Sequence, residues 1–216
     1  MTIPQPDTRK HLVYFADPMC SWCWGFAPVV AGLSAHFRER LPIALMMGGL
    51  RPGNRKAMTE QDKAYVRDHW THVHKASGQP FDFAFFDRDH FVYDTEPACR
   101  AIVAMRRIDP DRTLDYLARV QRAFYAEGRD VTRPETLAEL AGEAGADPAA
   151  FAAALDSPEC REETVRDFLT TQEVGVKGFP TLLAGDLTHG YAMVTSGYRP
   201  LDGLTGALER WLQTTT

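Results

Sequence analysis

The chain has 216 residues, 44% hydrophobic and 25% charged, the make-up of a soluble globular protein with a substantial core. A formal charge of −5 without any long basic run argues against a nucleic-acid partner. Pro4, Pro6, Asp7, Arg9 and Lys10 precede an apolar run that lasts only from Leu12 to Ala16, so neither a signal peptide nor a transmembrane span is expected. The chain is therefore expected in a reducing cytoplasm, where a close cysteine pair is catalytic or metal-binding more often than a structural disulfide.

Leu12 to Ala16 has strand length, and Asp17-Pro18 ends it, because proline lacks an amide hydrogen and biases the residue before it toward extended geometry. Cys20-Ser21-Trp22-Cys23 follows. If a helix begins near Cys20, its thiol sits over unpaired N–H groups and the positive end of the helix dipole, which favour the thiolate. Cys23, one turn on, is placed to resolve a mixed disulfide. Phe26, Val29, Val30, Leu33 and Phe37 then fall at helical spacing, predicting a helix from Trp22 to about Arg40, with Pro28 in its first two turns able to bend it. After Pro42, the continuous apolar run Ile43 to Met47 reads as a strand buried on both faces, completing a βαβ unit that ends at Gly48-Gly49.

From Thr59 to about Ala154 the pattern is all helical. Thr59-Glu60-Gln61-Asp62, Thr95 before Pro97, Thr132-Arg133-Pro134-Glu135 and Asp147-Pro148 each read as a helix start. Ser157-Pro158 caps a further helix bearing Cys160, Val165, Phe168 and Leu169 that ends near Gly175. Strand chemistry returns at Phe179 to Ala184, opened by Pro180; Gly185-Asp186 reads as a hairpin turn and Thr188 to Ser196 as the returning strand. Leu204, Leu208, Trp211 and Leu212 mark a last helix from Leu201 to Leu212.

The Cys-x-x-Cys pair admits a redox reading, half of a zinc site, or two inert buried thiols; covalent haem is excluded because Trp24, not histidine, follows the second cysteine. Zinc lacks a second close ligand pair, since Cys99 and Cys160 are isolated and read as small core residues or a secondary redox thiol. His69, His72 and His74 read as a solvated helix face, and the aromatic stretch Phe81 to Tyr93, with His90, as packing of the helical block rather than a substrate groove. Met46, Met47, Gly48 and Gly49 are expected as an apolar floor near the sulfurs, and Asp17 either as an influence on thiol ionisation or as a turn former.

Asp17-Pro18-Met19-Cys20-Ser21-Trp22-Cys23 with Trp24-Gly25-Phe26, followed far downstream by Gly178-Phe179-Pro180-Thr181, resembles the DsbA-like family, and looks most like its FrnE-type cytoplasmic branch of thiol-disulfide oxidoreductases or protein disulfide isomerases. The resemblance covers essentially the whole chain. It implies an α/β thioredoxin fold, a central mixed β-sheet, with a large all-helical insertion: residues 1–58 and 156–216 forming the thioredoxin-like domain and 59–155 the insertion. It implies Cys20 as nucleophile, Cys23 as resolving thiol and Pro180 as a cis proline facing them; Trp22, Phe179 and Pro180 are expected to bind substrate, the Phe179-Pro180 edge holding its backbone. Independently of the resemblance, only X–Pro bonds adopt cis at modest cost, and a strand whose first residue lacks an N–H leaves the preceding backbone free for a visiting peptide. The partners implied are protein or small-molecule thiols and disulfides, without membrane, bound cofactor or metal. The alternative is the related glutathione-dependent branch, containing 2-hydroxychromene-2-carboxylate isomerases and kappa-class transferases, in which glutathione is co-substrate. That branch usually carries serine at the first position, and Cys20 departs from it. The direction of electron flow is not fixed by these residues, because it depends on the relative stability of thiolate and disulfide.

Overall fold

The computed structural model describes residues 9–214. Pro4, Pro6 and Asp7, on which the expectation of no leader partly rests, lie outside the described residues. In chain order the elements are β1 (His11–Ala16), α1 (Ser21–Phe37), β2 (Ile43–Met47), α2 (Glu60–Ser77), α3 (Glu96–Ile108), α4 (Thr113–Tyr125), α5 (Pro134–Glu143), α6 (Pro148–Asp156), α7 (Pro158–Glu173), β3 (Thr181–Asp186), β4 (Gly190–Ser196) and α8 (Leu201–Thr214). The four strands form one mixed sheet in the order β2-β1-β3-β4, with β1 parallel to β2 and antiparallel to β3. This is the expected α/β thioredoxin arrangement, and β1, between two neighbours, carries the buried Leu12, Tyr14, Phe15 and Ala16 straight to the cysteine loop.

β2 corrects the expectation of a strand buried on both faces. It is an edge strand, with Ala44 exposed while Leu45 and Met47 are buried. Its backbone is held by side chains from the helices: the Met47 N–H donates to Asp167 Oδ2 at 3.0 Å, and Arg106 Nη1 donates to the Leu45 carbonyl at 2.8 Å. A continuous apolar run does not say how many neighbours a strand will have.

Helix starts follow local chemistry where the cap acts on its own first turn. Thr59 and Asp62 form a complete capping box, Asp147 accepts from Ala149 and Ala150, and Ser157 accepts from Cys160. Two expected caps do not form. Thr95 precedes α3, but its hydroxyl accepts from the Arg51 N–H at 3.1 Å, and Thr132 donates to Asp130 at 2.6 Å, leaving Arg133 as an uncapped start to α5. The hairpin turn also lies further on: Gly185 and Asp186 belong to β3, and Asp186 Oδ1 accepts from the Thr188 and His189 N–H groups at 2.8 Å each, turning the chain beyond the strand.

A single apolar core joins sheet and helices. Trp70 on α2 is completely buried, with Phe81, Phe85, Phe86 and Tyr125 ring centres within 4.8–5.2 Å of its own, so the aromatic stretch packs the helical block as expected. Among the described residues no helix is long and apolar enough to cross a membrane.

Candidate active site

Cys20 is the residue immediately before α1, with extended backbone angles of φ −92° and ψ 116°. Its N–H donates to the Asp17 carbonyl at 3.1 Å, and its own carbonyl accepts from Trp24 N–H at 3.1 Å, so the cysteine is fixed between a tight loop and the first helical turn. That turn carries no acidic residue. Cys20 Sγ donates to the Phe179 carbonyl at 3.6 Å. Cys23 lies behind it, fully buried, and both thiols are free. Burial pushes the Cys23 thiol well above its ordinary pKa; the adjacent Cys20 adds to this, and the Asp17 backbone N–H opposes it.

The opposing wall comes from the loop before β3. The Phe179–Pro180 peptide bond is cis, and the Pro180 carbonyl accepts from Gly197 N–H at 2.7 Å. The Phe179 ring occupies space that only glycine leaves open, since a Cβ on Gly48 would lie 2.0 Å from its Cζ. Trp22, half buried, packs its ring 6.0 Å from that of Tyr198. The fold thus brings Cys20, Cys23, Phe179 and Pro180 to one place, with Trp22 at the rim.

Below the loop stands Asp17, completely buried. Its Oδ1 accepts from Met19 N–H at 2.8 Å, and its Oδ2 accepts from Leu50 N–H at 2.6 Å and from the Cys99 thiol at 3.4 Å. Burial raises its pKa, and these donors pull the other way. Asp17 therefore does more than form a turn: it ties the cysteine loop to the segment after β2 and to α3. The Tyr93 hydroxyl donates to the Met19 carbonyl at 2.7 Å, and Trp24 donates to the Pro80 carbonyl at 3.0 Å while stacking on Tyr125 at 6.3 Å. Helical-block residues thus hold the cysteine loop from beneath. The sequence gives no local signal for Tyr93 or Tyr125 in this role, since both are one aromatic among many.

Other candidates stay apart. Cys160 donates to the Arg100 carbonyl at 3.4 Å, and burial raises its pKa to about 11. His72 and His74 are exposed on α2, and among the described residues no group of three or more His, Cys, Asp or Glu could hold a metal ion.

A family model described as a DSBA-like thioredoxin domain matches residues 11–209. A Nitrosomonas europaea structure, provisionally assigned as a protein disulfide isomerase, is 36% identical with a TM-score of 0.90, covering 96% of this chain and 100% of its own. The cytosolic disulfide reductase DsbM of Pseudomonas aeruginosa is 29% identical with a TM-score of 0.79, covering 95% of this chain and 100% of its own; its structure with GSH is 28% identical with a TM-score of 0.76, covering 94% and 99%. The ClpXP adapter protein SpxH of Halalkalibacterium halodurans is 26% identical over 81% of this chain, and the match spans only 59% of that relative. A match across nearly the whole described chain, on a mixed sheet that delivers a cysteine pair to the start of α1, makes this chain a member of the DsbA-like thioredoxin-domain family.

Proposed function

We propose that the protein is a thiol-disulfide oxidoreductase in which Cys20 attacks a disulfide, Cys23 resolves the mixed disulfide, and the Phe179-Pro180 backbone holds the substrate. The observation that carries this reading is the 3.6 Å approach of the Cys20 thiol to the Phe179 carbonyl, with Cys23 buried behind it. A thiol at the rim can meet a substrate sulfur; one sealed behind it can meet only the bond its neighbour forms. Trp22 and Tyr198 extend the same wall and offer apolar surface to residues flanking the substrate sulfur.

The place of action is the cytoplasm, with net transfer toward substrate reduction, and glutathione is the thiol that returns the Cys20–Cys23 pair to its reduced state. The cytosolic reductase DsbM and its structure with GSH support this. The domain organisation belongs to the same reading: residues 1–58 and 156–216 carry the chemistry, and the helical insertion 59–155 selects the substrate. The insertion's contacts beneath the loop, through Tyr93 and Tyr125, support a role in setting the site.

The test is a trap. Cys23→Ser protein should capture protein or glutathione partners as mixed disulfides on Cys20, visible by mass without reductant, and Cys20→Ser should capture none. Insulin reduction with glutathione should require both cysteines. If Cys20→Ser keeps turnover on a glutathione-dependent isomerase or transferase substrate and Cys23→Ser traps nothing, the glutathione-enzyme alternative replaces this reading.

A further inference from the structure

Between α1 and α4 lies a cavity of about 230 Å³, lined by Ala27, Val30 and Ser34 from α1, Asp115 from α4, and by Tyr14 and Gln121. Cys23 falls at helical spacing with Ala27, Val30 and Ser34, so the cavity follows the stripe of α1 that begins at the buried cysteine. Tyr14 and Gln121 are each 1% exposed; neither the Tyr14 hydroxyl nor the Gln121 amide nitrogen has a nitrogen or oxygen partner among the described residues, and the one side chain the Tyr14 hydroxyl meets is the Cys23 thiol. A buried polar group left unpaired is costly, and native proteins seldom leave one. Tyr14 packs against Phe26 at 5.9 Å, and burial, then the charge of Cys23 and the hydrogen bond to its thiol, then Cys20, hold its phenol far above its ordinary pKa. The hydroxyl therefore stays protonated and can only donate to a charge.

Resting on the resolving role assigned to Cys23 above, we propose that the Tyr14 hydroxyl is a positioning donor for the Cys23 thiolate, engaged when Cys20 is held in a mixed disulfide. In that step the Cys23 S–H gives up its proton and the thiolate attacks Cys20 Sγ. The Cys20–S–S–R bond breaks, the Cys20–Cys23 bond forms, and R–S⁻ leaves to take a proton from solvent. The protein's two thiols lose two electrons, and the substrate disulfide gains them. A thiol sealed from water has no solvent to stabilise its charge, so a preorganised donor lowers the barrier most where no competing partner occupies it. Cys23 itself does not line the cavity, but Tyr14 does, and the space there is far larger than the roughly 10–15 Å³ one water needs, so the proton's route out runs past the Tyr14 hydroxyl, between α1 and α4.

The titratable groups around this pair are Cys20 and Asp17 from the loop before α1, Tyr93 and Tyr125 beyond Cys20, and Asp115 from α4 at the cavity wall. Of the other elements packed on α1, α2 presents Val73 and Ser77, and α8 presents Leu201 and, at the far C-terminal end of α1, Glu209 bonded to His36 at 2.8 Å; Tyr14 is paired with Leu45 and Leu182 in the sheet.

The experiment mixes reduced protein with oxidised glutathione, quenches with acid and follows species by mass across pH. Wild type should pass through a Cys20–glutathione adduct to the Cys20–Cys23 disulfide. Tyr14→Phe keeps the ring, so it should form the adduct at the wild-type rate but resolve it about tenfold more slowly near neutral pH, with the pH–rate curve for resolution moved about one unit alkaline. The reduced Tyr14→Phe protein should melt close to the wild-type temperature, because the hydroxyl's one partner is a thiol, a weak hydrogen-bonding group. An unchanged pH profile for resolution overturns the inference, and so does a clear fall in melting temperature, which would mean the hydroxyl is structurally engaged. If wild type forms no internal disulfide, the oxidoreductase reading falls and takes this inference with it; if wild type resolves and Tyr14→Phe matches it, only the inference falls.

Discussion

The Cys20 thiol donates to the carbonyl of Phe179 at 3.6 Å, across 159 positions of sequence. The contact depends on Gly48, because the Phe179 ring fills the space a Cβ would take there.

Gly48→Ala should therefore damage chemistry more than stability. The added Cβ would meet the end of the ring at 2.0 Å, so Phe179 must swing and carry its carbonyl with it. The expected outcome is a loss of about 1 kcal/mol by urea unfolding, at the low end for overpacking, with about a tenfold drop in insulin reduction. Gly203→Ala is the control: it lies on α8 with nothing within 4 Å of the new Cβ, and should keep activity while gaining up to about 1 kcal/mol. Equal activity in the two variants would separate Phe179 from the reaction.

Iodoacetamide should modify the four cysteines in a fixed order. Cys20 is 6% exposed, whereas Cys23, Cys99 and Cys160 are 0% exposed. Burial holds the Cys23 and Cys99 thiols well above their ordinary pKa and the Cys160 thiol at about 11, so little thiolate is present at neutral pH in any of the three. Peptide mapping of native protein should find Cys20 labelled first and the other three labelled only in denaturant. Labelling of Cys23 as fast as Cys20 would remove the proposed division of labour.

Arg106 is the half-buried cation that secures β2. It bonds both oxygens of Asp167 at 3.0 Å and Glu163 at 2.8 Å, while Asp167 also accepts from Met47 N–H. Burial raises the Asp167 pKa, and Arg106 is the main influence opposing it. Arg106→Met should cost about 3–5 kcal/mol, because it strands a buried carboxylate. Adding Asp167→Leu should recover part of that loss. A single mutant within about 1 kcal/mol of wild type, the range of a surface pair, would contradict the burial argument.

Glu209 on α8 gives the acid limb of stability its expected shape. Hydrogen bonds from Arg40, then His36, hold its carboxyl at about 2, below the ordinary 4.5. A depressed folded-state pKa contributes stability that is complete above about 4.5 and is lost as pH falls through about 2. Urea unfolding between these values should show wild type losing stability with acid more steeply than Glu209→Gln. The difference should shrink in high salt, because Arg40 and Glu209 are partly solvated.

Much of this molecule was legible locally. The strand from Leu12, the helix start at the cysteine pair, the caps at Thr59, Asp147 and Ser157, and the strand after Pro180 each depend on residues within one turn of one another, and each stands where the pattern puts it. The caps at Thr95 and Thr132 fail for an equally physical reason: a hydroxyl bonds whichever partner is nearest, and for these two it is the Arg51 amide and the Asp130 carboxylate.

Local chemistry along the chain sets the order of strands and helices, because backbone preference and apolar periodicity act over a few residues. It also determined which sulfur stands at the helix start. Tertiary structure alone decided that β2 is an edge, that Asp17 is buried under donors from Leu50 and Cys99, that Tyr93 reaches the Met19 carbonyl, and that Phe179 meets Cys20. Those contacts join residues far apart in the chain, and no local preference encodes a partner; only the closing of one core around sheet and helices selects it.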